Sequence, residues 1–274
     1  MTTKIEFAVE MTCKNCINAV ENSLKELQGI DHFEILFDKQ TVVVETAISH
    51  TVIQEAIEKV GKKAVLKGYG YNESNAAVAM IDGVGLNLNG NNNIQGLVRF
   101  AESNEKDTII DGTIDGLSPG LHGLHIHECG DITKGCASVG PHYNPHEVNH
   151  GGREDDVNNR HLGDLGNIIA DKFGRASFRF NDKLLRISDI IGRSIVVSEK
   201  EDDLGKGKDV NSSVDGNSGK GIACGIIARS AGLFQNSKKI CVCDGKTLWD
   251  ERNEYKEKGI VPLSEQQASN CDIS

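Results

Sequence analysis

The spacing of apolar residues changes twice along the chain. Residues 4–9 (KIEFAV) alternate with period two, which predicts a strand with one buried face. From Cys16 the period becomes helical: Ile17, Val20, Leu24 and Leu27 share one stripe, which stops at Gly29. Residues 30–37 and 41–46 predict two strands joined at Asp38-Lys39. Val52, Ile53, Ala56, Ile57 and Val60 form a second helical stripe closed by Gly61, and residues 64–66 a last short strand. The order βαββαβ predicts a ferredoxin-like α+β domain.

Beyond it the helical period disappears. Short extended runs at 76–81, 97–101, 108–114, 123–127, 176–180 and 194–198 are separated by glycine-containing turns. This pattern predicts an all-β sandwich or barrel. Glycine marks the boundaries. Residues 1–67 hold two of the 30 glycines, residues 68–235 hold 26, and residues 236–274 hold two. The change falls near Gly68-Tyr69-Gly70. The predicted domains are 1–70, 71–235 and a tail, 236–274, too polar and short to bury a core and expected to be mostly disordered.

Charge and composition then narrow the partners. A net charge of -10 leaves no basic surplus for nucleic acid. No apolar run approaches the roughly 18 residues of a membrane span, so no membrane insertion is expected. The first residues, MTTKIEFAVE, lack a secretory apolar core, and a cytoplasmic location is expected. Eight cysteines in a reducing compartment point to metals or redox chemistry before structural staples.

Cys13 and Cys16 lie between the first predicted strand and helix. A helix start favours thiolates, and two soft sulfurs without a nearby histidine suit Cu(I) better than tetrahedral zinc. A thioredoxin-type redox pair and an incidental pair are the competing readings. Seven of the nine histidines fall between His122 and His161. His125 and His127, two apart on a strand, face one side and can grip one ion. His142, His150, His161 and Asp164 offer three imidazoles and a carboxylate, a tetrahedral zinc set. His32, His50 and His146 read as surface or satisfied core residues. In the tail, Cys241 and Cys243 can share a soft ion or form an easily reduced disulfide that passes oxidation on. Ordinary surface thiols are the alternative.

Several motifs carry resemblances. MTCKNC at residues 11–16 resembles the heavy-metal-associated domain of copper chaperones and copper pumps, over residues 1–68. GLHIHECGD, GPHYNP, HGG, HLGDLGNI, EDDLGKG and GIACGII resemble the Cu/Zn superoxide dismutase family over residues 76–229. That second resemblance implies an eight-stranded Greek-key barrel with zinc on His142, His150, His161 and Asp164. It implies copper on His125, His127 and a bridging His142, with Asp202 linking the two sites. It also implies a disulfide between Cys136 and Cys224.

Two positions depart from the enzyme. Ser198 stands where the dismutase family has its fourth copper-ligand histidine, and a hydroxyl is a poor copper ligand. Gly221 stands where the family has the arginine that docks superoxide, and the adjacent Lys220 is expected to point elsewhere.

The three-part order, with ARSAGLFQNSKKICVCDGKTLWDER as junction and tail, resembles the family of copper chaperones that serve superoxide dismutase. The resemblance implies a non-enzymatic metallochaperone that carries Cu(I), holds Zn²⁺ in its barrel and pairs with Cu/Zn superoxide dismutase. Pairing would use a dimer-type contact near Cys129-Gly130, Ile190-Ile191-Gly192 and Ile226-Ile227. Cys241 and Cys243 would deliver copper, exchange disulfide with the target, or do both. A homodimer, a copper transporter as the source, and a minor mitochondrial intermembrane-space fraction stay open. So do the roles of Cys129 and Cys271. The alternative readings are an active dismutase with a fused copper-capture domain, a copper buffer without a client, and a thiol oxidoreductase.

Overall fold

The computed structural model describes residues 2–70, 76–83, 94–103, 105 and 107–233. Cys241, Cys243, Cys271 and the predicted tail lie outside the described residues. Two compact units are present, and each is described by itself.

The first unit runs β1 (Thr3–Val9), α1 (Lys14–Lys25), β2 (Ile30–Leu36), β3 (Thr41–Thr46), α2 (His50–Lys59) and β4 (Ala64–Gly70). This is the predicted βαββαβ order, with an antiparallel sheet in the order β2-β3-β1-β4. Ile5, Phe7 and Val9 of β1, Val42 and Val44 of β3, Val20 and Leu24 of α1, and Ile53 and Ile57 of α2 are at most 1% exposed. Period-two and period-3.6 patterns thus supply one core, each buried side chain contributing about 1.5–3 kcal/mol of transfer free energy.

Three boundaries differ from expectation. Helix α1 ends at Lys25, before Leu27, with Glu26 as its C-cap. Residues Phe37–Lys39 form a 3-10 turn, and Gln40 takes a left-handed conformation (φ 49°) to enter β3. Strand β4 continues past residue 66, because an irregularity at Glu6/Phe7 restores pairing of Glu6 with Gly68, Ile5 with Tyr69 and Lys4 with Gly70. The Gly68-Tyr69-Gly70 stretch is therefore the end of a strand, and the expected 70/71 boundary falls just after it.

The second unit is a closed barrel. Its strands are β5 (Ala76–Asp82), β6 (Gln95–Glu102), β7 (Thr108–Asp115), β8 (Gly120–His127), β10 (Asp164–Ala170), β11 (Ala176–Asp182), β12 (Ser194–Ser198) and β13 (Gly221–Ser230). They close in the order β10-β11-β7-β6-β5-β13-β12-β8, an eight-stranded Greek key. A short β9 (Thr133–Cys136) lies outside the closed ring, and α3 (Ile187–Ile190) and α4 (Ser212–Asp215) are single turns. Val98, Phe100, Ile110, Ile114, Leu124, Ile126, Ile195 and Val197 fill the interior. Gly112 pairs with Phe178, whose ring tip would lie 2.5 Å from any Cβ added there, so glycine leaves the space the aromatic ring uses.

Strands β9, β10 and β13 were not among the predicted runs. Glycines at 135, 166 and 225 break their apolar alternation, and neighbouring strands stabilise them instead. Two long connections, β8 to β10 and β12 to β13, hold the remaining chemistry.

Candidate metal sites

In the first unit, Cys13 is the N-cap of α1 and its carbonyl accepts the Cys16 N–H at 3.0 Å. The first turn brings the two sulfurs within 3.3 Å. Cys13 is exposed, whereas Cys16 is 4% exposed. Hydrogen bonds from Thr12, then from Cys13 and Lys62, lower the Cys16 thiol to about 6. Lys62 donates from Nζ at 3.2 Å, and Thr12 Oγ1 lies 3.6 Å away. Gln40 donates its amide to the Met11 carbonyl at 3.3 Å and steadies the loop entry. The result is a soft, anionic, half-open pair fit for a thiophilic cation. Lys62 carries no sequence signal for this role, because 46 residues separate it from Cys16.

In the barrel, one oxygen of Asp164 gathers three imidazoles. Its Oδ1 lies 3.0 Å from His142 Nδ1, 3.0 Å from His150 Nδ1 and 3.2 Å from His161 Nδ1. Its Oδ2 instead accepts the backbone N–H of His161 at 2.8 Å and of Gly151 at 3.2 Å. Tetrahedral zinc with bonds of about 2.0–2.1 Å places its donors about 3.3 Å apart, close to these separations. The buried Nδ1 atoms of His150 and His161 have no aligned hydrogen-bond partner. Buried polar atoms are rarely left so, and a zinc ion would satisfy both. The four residues expected for zinc are thus brought together, and they fit the ion.

The outer nitrogens are also fixed. His150 Nε2 donates to Asp202 Oδ1 at 2.8 Å, and His161 Nε2 donates to the Val148 carbonyl at 3.0 Å. Such partners set the tautomer that leaves Nδ1 free for metal. Asp202 Oδ2 also meets His125 Nε2 at 3.0 Å, so this carboxylate joins both halves as expected. Burial opposes ionisation of Asp164, but the imidazoles of His142, His150 and His161 gathered around it hold its carboxyl far below the usual range. Burial is likewise outweighed at His150, where Asp164 and Asp202 raise the imidazole to about 10. A cavity of about 600 Å³ reaches His142 and His161, between Tyr143, Arg193 and Val214.

Next to this set lie the residues expected for copper. The His125 and His142 rings stack at 4.0 Å, and His127 Nδ1 donates to the Gly140 carbonyl at 2.7 Å. Burial lowers His125, and lowers His127 and His142 to about 4, leaving neutral imidazoles. Opposite His125 Nδ1, at 3.5 Å, stands the Ser198 hydroxyl, itself accepting from Ser218 Oγ at 3.2 Å. At Gly221 an added Cβ would lie 2.7 Å from both Cys136 Cβ and Val196 Cγ1. Lys220 is exposed beside it.

Cys136 and Cys224 are free thiols here, packed together with Val139 and Val196. Each shifts the other: the Cys136 thiol is pushed up by its hydrogen bond to Cys224, whose own thiol is lowered. At the expected dimer-type contact, Cys129 and Ile226 are exposed, with Ile226 at 42%. Ile190 and Ile227 are instead fully buried in the barrel core and unavailable to a partner. His32 and His146 are exposed, and His50 is buried edge-on to Tyr69.

Two supporting residues stand outside the expected ligand sets. Arg160 is 1% exposed, donates to the Asp164 carbonyl at 2.7 Å and holds both oxygens of Asp182 at 2.8 and 2.7 Å. His122, 1% exposed, contacts the Ser198 carbonyl through Nδ1 at 2.8 Å. An arginine beside a histidine in a metal loop was the available signal for the first.

The two units together define a class: a metal-binding ferredoxin-like domain joined to a dismutase-type barrel. Residues 6–63 match the heavy-metal-associated domain, and residues 94–227 match copper/zinc superoxide dismutase. The copper chaperone for superoxide dismutase of Sus scrofa is 51% identical over 251 residues, covering 90% of this chain and 88% of that protein. Its Homo sapiens counterpart is 49% identical with the same coverage. The solved structure of the clock protein EA4 superposes with a TM-score of 0.51 at 36% identity, covering 58% of this chain and 97% of that one. The chain belongs to the family of copper chaperones for superoxide dismutase.

Proposed function

We propose that this chain delivers Cu(I) to a Cu/Zn superoxide dismutase and promotes the enzyme's intrasubunit disulfide, without being a dismutase itself. Cys13 and Cys16 collect the ion, taken from a copper transporter in the cytoplasm. Zn²⁺ held by His142, His150, His161 and Asp164 would stabilise the barrel. The barrel pairs with one target subunit through the surface around Cys129 and Ile226. Cys241 and Cys243 pass copper to the target and exchange thiols with its cysteine pair. Thiolate-to-thiolate transfer suits Cu(I), because ligands change one at a time and no free ion is released.

The observation that carries this reading is the contrast between two sites. One unit has an intact soft pair at 3.3 Å, while the other has a hydroxyl where a dismutase needs an imidazole. The test uses copper-loaded protein mixed with copper-free, disulfide-reduced dismutase. Wild type activates the enzyme, and the Cys241→Ser/Cys243→Ser double variant does not. Full activation by the double variant contradicts the tail's role.

A further inference from the structure

One face of the first unit's sheet should be wet. Ile5, Phe7 and Val9 of β1 enter the core, so Glu6 and Ala8 point the opposite way. Val43, Glu6 and Gly68 form a row across β3, β1 and β4. Yet Val43 is 8% exposed, Glu6 1% and Ala8 5%, and Gly68 is buried.

Part of the cover belongs to the far end of the chain. Residues 231–233 group with this unit. A Cβ added at Gly68 would lie 2.6 Å from the Gly232 carbonyl oxygen and 3.0 Å from Glu6 Oε2. Only a residue without a side chain lets the Gly232 backbone come so close. Gly232 is buried, and Leu233 is 1% exposed. The other Glu6 oxygen pairs with Lys67 Nζ at 3.0 Å, so this buried carboxylate is neutralised next to the contact.

We propose that residues 231–233 are a seat that fastens the root of the tail to the helix-free face of the thiol-bearing domain, with Gly68 as the contact point. The tail thiols are then leashed to the domain that carries Cys13 and Cys16. Cys241 follows Leu233 by eight residues and Cys243 by ten. At about 3.3–3.6 Å per residue, they reach at most about 29 and 36 Å from the seat. A leash makes the encounter of the two thiol pairs intramolecular, at an effective concentration set by the length of the linker. Copper can therefore pass within one chain. Two Cu–S bonds to Cys13 and Cys16 break as two form to Cys241 and Cys243. The ion stays Cu(I), and the protons displaced from the tail thiols go to the vacated thiolates. This step rests on the reading that both pairs hold copper; the seat does not.

The test uses the full chain and two variants, Gly68→Val and Leu233→Ser, one on each side of the contact. Hydrogen exchange at residues 232 and 233 reads the seat. It should be at least tenfold slower than in a free peptide of the same sequence, and both variants should lose that protection. Exchange as fast as in the free peptide, or protection untouched by both variants, overturns the seat. Copper arrival at the tail, read by protection of Cys241 and Cys243 from alkylation after Cu(I) loading, should be independent of protein concentration in wild type. In the variants it should be at least tenfold slower and concentration-dependent. A transfer rate unchanged in variants whose seat has opened overturns the leash. A protected seat with no copper reaching the tail at any concentration upholds the seat and contradicts the delivery reading instead.

Discussion

Ser198 is the cross-strand partner of Gly221. The two positions that depart from a dismutase therefore face each other across the β12–β13 ladder. By the resemblance to the dismutase family, one stands in place of a copper ligand, beside His125, and the other in place of the docking charge. Separate consequences follow, because Ser198 sits in a polar pocket with Ser218, whereas Gly221 is pressed against Cys136 and Val196.

Restoring the ligand alone should restore binding without turnover. Ser198→His is expected to raise the barrel's copper affinity by at least tenfold, read by competition with a chromogenic chelator. Superoxide turnover stays about 10- to 1,000-fold below that of an enzyme, because Gly221 offers no charge to dock the anion.

Restoring the charge should fail for steric reasons. Gly221→Arg puts a Cβ 2.7 Å from two neighbouring carbons. Overpacking of this kind costs about 1–3 kcal/mol, visible as a lower midpoint in urea unfolding with an unchanged slope.

The zinc set should bind with a pH signature. His150 is raised to about 10 by Asp164 and Asp202, so the metal-free barrel carries a proton there at neutral pH. Because the folded value lies above the ordinary 6.5, this proton stabilises the metal-free fold fully below pH 6.5. The contribution is lost as pH rises towards 10. Zinc must displace the proton, so calorimetry in buffers of different ionisation heat should show release of about one proton per zinc at pH 7.5. Asp164→Asn should abolish tight zinc binding, and Arg160→Leu should cost about 3–5 kcal/mol by stranding the buried Asp182.

Much of this was legible in the sequence. The βαββαβ order follows from a clean change of apolar period, because α1 and α2 each bury one stripe and β1 and β3 place alternate residues in the core between sheet and helices. The metal ligands stood out as residue types at short spacing, and His142, His150, His161 and Asp164 do meet. What was hidden depends on long-range contact. Lys62 reaches Cys16 across 46 residues, and Ser198 reaches His125 across 73. The Gly68-Tyr69-Gly70 stretch marks the end of the domain through its glycines, but it is strand and not turn. An irregularity in β1 lets the strand continue, and Gly68 is bare because the Gly232 backbone lies against it.

The copper pair should titrate early. Cys16 is lowered to about 6 by Thr12, Cys13 and Lys62, so thiolate absorbance near 240 nm should rise around that pH. Lys62→Met and Thr12→Val should each move the rise towards the ordinary thiol range near 9, with the charged form favoured less at neutral pH.

The central claim is that this barrel serves a dismutase and is not one. The most direct measurement is superoxide dismutase activity of the zinc- and copper-loaded protein, alone and then mixed with copper-free, disulfide-reduced Cu/Zn superoxide dismutase. The account predicts negligible activity alone and copper-dependent activity on mixing. Strong activity of the protein alone would mean that Ser198 and Gly221 do not disable the barrel, and would contradict it.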